Sequence, residues 1–92
     1  MSEKLFERKL RESVKGMGGL AIKFSSFSFT GIPDRIILMP AGRLWFVELK
    51  SIGKKPSPRQ RIVIALLQRL GFLVEVIDSP ETLNQFIKKI SI

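Results

Sequence analysis

The chain has no cysteine and no histidine among its 92 residues. The first absence excludes a disulfide framework and any thiolate metal site. The second excludes zinc sites of the usual nitrogen-and-sulfur kind. Any metal here must be held by oxygen, which selects magnesium, manganese or calcium. Long apolar runs are missing too. The longest uninterrupted aliphatic stretch is Ile62 to Leu67, far short of the roughly 20 residues that span a bilayer. Met1-Ser2-Glu3-Lys4 opens the chain without an apolar signal region, so the expected location is intracellular. Acid is scarce: 8 Asp and Glu stand against 16 Lys and Arg, for a net charge of +8. That excess predicts attraction to a polyanion, with nucleic acid the leading partner. A membrane surface fits less well, because the basic residues are scattered rather than aligned on one amphipathic helix.

The scarcity of acid isolates two residues. Between Glu12 and Glu75 the only carboxylates are Asp34, in Gly31-Ile32-Pro33-Asp34, and Glu48, in Glu48-Leu49-Lys50. A hard divalent cation that assists phosphodiester hydrolysis is held by carboxylates and by the substrate's own oxygens, so an isolated pair suits that chemistry.

The order of elements supports convergence. Ser2 caps a first helix to about Lys15, with Phe6, Leu10, Val14 and Met17 on one face. Leu20 to Phe24 reads as a first strand, Arg35 to Met39 as a second and Arg43 to Lys50 as a third. Pro40-Ala41-Gly42 is the hairpin connection between the last two. Because that turn is central, Asp34 and Glu48 should lie nearly opposite each other across the pair. The period of two puts Leu44, Phe46, Glu48 and Lys50 on one face, with Leu44 and Phe46 directed to the core. Lys50 then reaches the same phosphate, to orient the attacking water or to stabilise the developing charge. The Leu49 carbonyl is a natural extra oxygen ligand. Ser57-Pro58 starts a helix to about Leu70, Phe72 to Ile77 is a fourth strand, and Ser79-Pro80 starts a last helix. One domain over residues 1–92 results, an α/β fold in the order α-β-β-β-α-β-α with a small mixed sheet.

These residues resemble a known superfamily. Pro33-Asp34 followed by Glu48-Leu49-Lys50 is similar to the PD-(D/E)XK nucleases, whose restriction-endonuclease-like fold has an α-β-β-β-α-β core. A closer resemblance is to the VRR-NUC family, on Gly31-Ile32-Pro33-Asp34-Arg35, Val47-Glu48-Leu49-Lys50 and Gln60. The resemblance implies a metal-dependent nuclease using Mg²⁺ or Mn²⁺ and no organic cofactor. It implies Asp34, Glu48 and the Leu49 carbonyl as metal ligands and Lys50 as the catalytic lysine. Gln60 is implied at the mouth of the site. Glu7 is implied as an outer carboxylate from the first helix, preferred to Glu3 in the fraying first turn. Stand-alone members, mostly of virus or phage type, look like homodimers acting on branched DNA such as Holliday junctions.

Several residues keep a second reading. Asp34 also suits an ordinary turn, and Glu48 with Lys50 a solvated strand edge. Gln60 also completes a capping box with Ser57, and Glu7 can pair with Arg11 four residues on. Lys23, Arg35, Lys54, Lys55, Arg59 and Arg61 are candidate nucleic-acid contacts, or simply solvated cations. Phe24, Phe27 and Phe29 are expected in a two-fold dimer interface, with the monomer core and an unpaired base as alternatives. A non-catalytic nucleic-acid-binding module of the same fold is the alternative to an enzyme.

Overall fold

The first helix of the computed structural model, α1 (Glu3–Gly16), is capped by the Ser2 hydroxyl, which accepts the Leu5 N–H. The structure describes residues 2–91. Phe6, Leu10 and Val14 of α1 are buried, at the spacing of one helical face. Strands β1 (Leu20–Lys23), β2 (Arg35–Met39), β3 (Arg43–Leu49) and β4 (Val74–Ile77) form one sheet in that spatial order. β1, β2 and β3 run antiparallel, and β4 runs parallel to β3. The parallel step needs a crossover, supplied by α2 (Pro58–Arg69). α3 (Pro80–Ile90) closes the chain, capped by Ser79.

The β2–β3 turn uses residues in the left-handed region, Ala41 at φ 67° and Gly42 at φ 72°. Two positive φ values match the twist of the flanking strands. The register that follows pairs Met39 with Arg43 and Arg35 with Val47. One further step places Asp34 opposite Glu48.

The main core lies on one side of the sheet. Ile37, Met39, Trp45, Val47, Leu49 and Ile77 meet Phe6, Leu10 and Val14 of α1 and Leu83, Phe86 and Ile90 of α3. This corrects the expectation for Leu44 and Phe46, which sit on the opposite face and are only half-buried. The reason is coverage. Two strongly amphipathic helices shield the first face, whereas α2 contributes a single fully buried residue, Val63, to the second. Near Leu49 both faces are covered, so Val47, Glu48 and Leu49 are all buried. No helix among the described residues is long and apolar enough to cross a membrane.

Candidate active site

Glu48 is the buried acid of the molecule's described residues, 2% exposed. Its Oε2 is fully engaged: Lys50 Nζ lies 3.2 Å away and Gln60 Nε2 donates at 3.1 Å. Its Oε1 is buried and has no hydrogen-bond partner among the described residues. A buried carboxylate oxygen left unpaired is costly, on the order of 1–3 kcal/mol or more. Lys50 reaches Glu48 because the two share a strand face at the period of two.

Gln60 completes the capping box with Ser57 and also reaches the buried acid. Its Oε1 accepts the Ser57 N–H at 2.8 Å to close the capping box, while its Nε2 bonds Glu48. One amide thus ties the start of α2 to the buried acid.

Asp34 ends the β1–β2 connection. Its Oδ1 accepts the Leu49 N–H at 3.2 Å, which brings the Leu49 backbone to the site. Its Oδ2 lies 3.3 Å from Arg35 Nη1. Burial pushes the Asp34 carboxyl above the usual aspartate value, against the lowering effects of Arg35 and the Leu49 N–H. Burial is also the largest cause holding Glu48 above its usual value, and the neighbouring charge of Asp34 is the second. The two acids therefore feel each other, and the positive charge around them does not offset their desolvation. A cation placed between them would relieve both effects. The donor set suits Mg²⁺ or Mn²⁺, and the orphaned Glu48 Oε1 supplies a free oxygen for it.

Glu7 makes the pair with Arg11 that its spacing offered, and a second with Arg35. Its Oε1 pairs with Arg11 at 2.6 Å and its Oε2 with Arg35 at 3.5 Å. Among the described residues, no three Asp or Glu side chains are grouped to hold one ion. The acid of α1 whose charge reaches Asp34 is Glu3. Glu3 and Glu7 share a helix face, so periodicity alone could not separate them.

The six basic candidates divide. Arg35 is turned inward, bonded to Glu7 and Asp34 with its side chain 11% exposed. Arg59 is spent on the β1–β2 connection: its Nε donates to the Thr30 carbonyl at 3.2 Å and its guanidinium covers the Phe29 ring. Lys55 pairs with Asp78 at 3.0 Å. Lys23, Lys54 and Arg61 are exposed. Sequence reasoning missed the bracing role of Arg59. Its available signal was Gly31, whose absent Cβ would lie 2.9 Å from Arg59 Cγ and 3.0 Å from Val63 Cγ2. The three phenylalanines do not form one patch either. Phe24 packs edge-on against Phe46, Phe29 lies under Arg59, and Phe27 is fully exposed.

A mixed sheet that gathers Asp, Glu and Lys at the junction of its second and third strands is the core of a PD-(D/E)XK nuclease. The family model described as "VRR-NUC domain" matches residues 3–81. A phage protein, "Putative nuclease p44" of Acyrthosiphon pisum secondary endosymbiont phage 1, is 42% identical over 79 residues, covering 86% of this chain and 85% of its own. A solved structure titled "VRR_NUC domain" superposes with a TM-score of 0.84 at 26% identity, covering 96% of this chain and 97% of that one. The chain belongs to the VRR-NUC family of nucleases, and its substrate is nucleic acid.

Proposed function

We propose that the protein is a Mg²⁺- or Mn²⁺-dependent DNA endonuclease that selects branched structures, four-way junctions among them, and works as a homodimer. The observation that carries the chemistry is the buried Glu48, with one oxygen fixed by Lys50 and Gln60 and the other unpaired, close enough to Asp34 to feel its charge. A pure binding module has no use for a buried acid and a half-buried one beside a polyanionic ligand.

Asp34, Glu48 and the Leu49 carbonyl would hold the ion. Bound there, it would neutralise charge on the phosphate and acidify a water molecule. The chain's own residues do the rest. Gln60 and Lys50 fix Glu48 Oε2, which leaves Oε1 as the free donor. The Leu49 N–H and Arg35 orient the Asp34 carboxylate. The Lys50 ammonium sits beside Glu48, where it orients the attacking water or stabilises negative charge on the phosphate. Water adds to phosphorus, the bond to the departing sugar oxygen breaks, and a proton returns to that oxygen.

Support for two copies comes from the sheet face away from α1 and α3. Leu20, Ile22 and Leu38 are all exposed there, with Leu20 paired directly opposite Leu38. An exposed apolar patch of this kind suits a subunit contact, and a two-fold dimer presents two identical sites to a symmetric junction.

The decisive experiment is cleavage of labelled four-way junction, flap, splayed arm, duplex and single strand with Mg²⁺ or Mn²⁺. Asp34→Asn, Glu48→Gln and Lys50→Ala should each cut at least about 100-fold more slowly, the scale of one lost charge-stabilising group. They should still bind the junction. Native-like cutting by Lys50→Ala removes the assigned chemistry.

A further inference from the structure

The connection between β1 and β2 carries Phe24, Phe27 and Phe29, and the fold uses only two of them. Phe24 meets Phe46 with ring centroids 6.5 Å apart. Phe29 lies 5.5 Å beneath the Arg59 guanidinium. Phe27 is 107% exposed, more open than any other large apolar side chain described. Burying such a ring is worth about 1.5–3 kcal/mol, and that gain is open to any partner that covers it.

Magnitudes decide which partner. A stable subunit interface needs roughly 800 Å² from each copy, and an aromatic side chain supplies about 150–250 Å². One ring is too little for a dimer contact, but it matches the face of a single base. Position agrees. The Phe24 N–H donates to the Asp34 carbonyl at 2.9 Å, so the base of this loop is pinned to a residue of the active site. Three extended residues span at most about 11 Å, which bounds the distance from Phe24 to Phe27. Stacked nucleotides advance about 3.4 Å each, so even with the width of the strand pair and the side chain added, the ring falls within several nucleotides of a phosphate at Asp34. Lys23, Phe24, Ser25, Asp34 and Arg35 line a cleft of about 250 Å³ at the foot of the loop. Lys23 is exposed and supplies charge for the strand leading to it.

We propose that Phe27 stacks on an unpaired nucleobase of the DNA substrate, close to the scissile phosphate. The proposal rests on the nuclease reading of the Asp34, Glu48 and Lys50 site. In a continuous duplex every base already has stacking neighbours, so the ring gains nothing there. At a branch point or single-stranded arm a base face is free, and stacking is tolerant of sequence.

The test is binding in EDTA, where no cleavage occurs, for the full chain and its Phe27→Ala and Phe27→Trp variants. The probes are a blunt duplex and the same duplex carrying a single-stranded arm, with 2-aminopurine at the branch. Stacking on one base is worth about 1–3 kcal/mol, so Phe27→Ala should weaken binding to the branched probe roughly 5- to 100-fold. Its effect on the blunt duplex should be under twofold, and Phe27→Trp should restore the preference. Native protein should quench 2-aminopurine, and Phe27→Ala should not. Equal effects on both probes, or no effect on either, overturns the proposal. So does conversion of a dimer to a monomer by Phe27→Ala in sedimentation. If Lys50→Ala has abolished cleavage while Phe27→Ala binds as native, stacking fails and the nuclease reading stands. If no DNA binds at all, both fail.

Discussion

Glu48 carries its charge where charge is costly, and the surrounding residues show what compensates it. Lys50 and Gln60 satisfy one oxygen, but no group among the described residues hydrogen-bonds the other. Burial first, and the Asp34 charge second, hold its carboxyl above the usual glutamate value. The folded metal-free chain therefore holds the Glu48 proton more tightly than the unfolded chain does. Its contribution to stability falls as pH rises from the ordinary glutamate value through the raised one. Glu48→Gln keeps an acceptor for Gln60 and removes the buried charge. In EDTA at neutral pH the variant should melt about 4–8 °C higher, equivalent to about 1 kcal/mol. The gain should vanish near the usual glutamate value of about 4.3. Added Mg²⁺ should stabilise the native chain and not the variant, reversing the order. A calorimetric scan in which Glu48→Gln melts lower in EDTA would contradict this account of the site.

Elements explain how two acids 14 residues apart are held together. The first turn of α2 acts on both. Gln60 bonds Glu48, while its neighbour Arg59 grips Thr30 and Phe29 in the segment that ends at Asp34. Gly31 makes this possible. It sits at φ +88°, which L side chains rarely adopt, with its backbone against Arg59 and Val63. Gly31→Ala adds a methyl where there is no room and a left-handed strain of about 1–2 kcal/mol. The expected outcome is a melting point lower by roughly 5–10 °C and weaker Mg²⁺ binding, because the Asp34 segment must move off α2. Unchanged Mg²⁺ affinity by titration calorimetry would mean that the segment is positioned some other way.

The whole molecule is lopsided. α1 and α3 bury one face of the sheet, and α2 covers only part of the other, leaving Leu20, Ile22 and Leu38 exposed. The expected state is a dimer near twice 10.4 kDa by sedimentation at micromolar concentration. Leu38→Glu, a change at a position already open to water, should give a folded monomer. If the native chain sediments as a monomer, the homodimer is excluded. The net charge of +8 acts at the same scale, and binding to nucleic acid should weaken steeply as salt is raised.

Much of the fold was legible because its signals are local. Ser-Pro pairs start α2 and α3, apolar spacing defines the buried faces of α1 and α3, and alternation sets the faces of β3. The strand ends moved by one or two residues, to Lys23, Leu49 and Val74, where pairing stops rather than where apolar character stops. Asp34, Glu48 and Lys50 stood out because so little other acid surrounds them. The sequence by itself determined the order of elements, the hairpin register that sets Asp34 opposite Glu48, and the absence of any nitrogen or sulfur metal ligand. Only the tertiary structure decided which face α1 and α3 would bury, and hence that Leu44 and Phe46 lie outside the main core. It also decided that Arg35 turns inward to Glu7 and Asp34, that Arg59 braces the Asp34 segment, and that Phe27 stands free. Those outcomes depend on contacts between residues far apart in the chain, and such contacts leave no periodic mark for a linear reading to find.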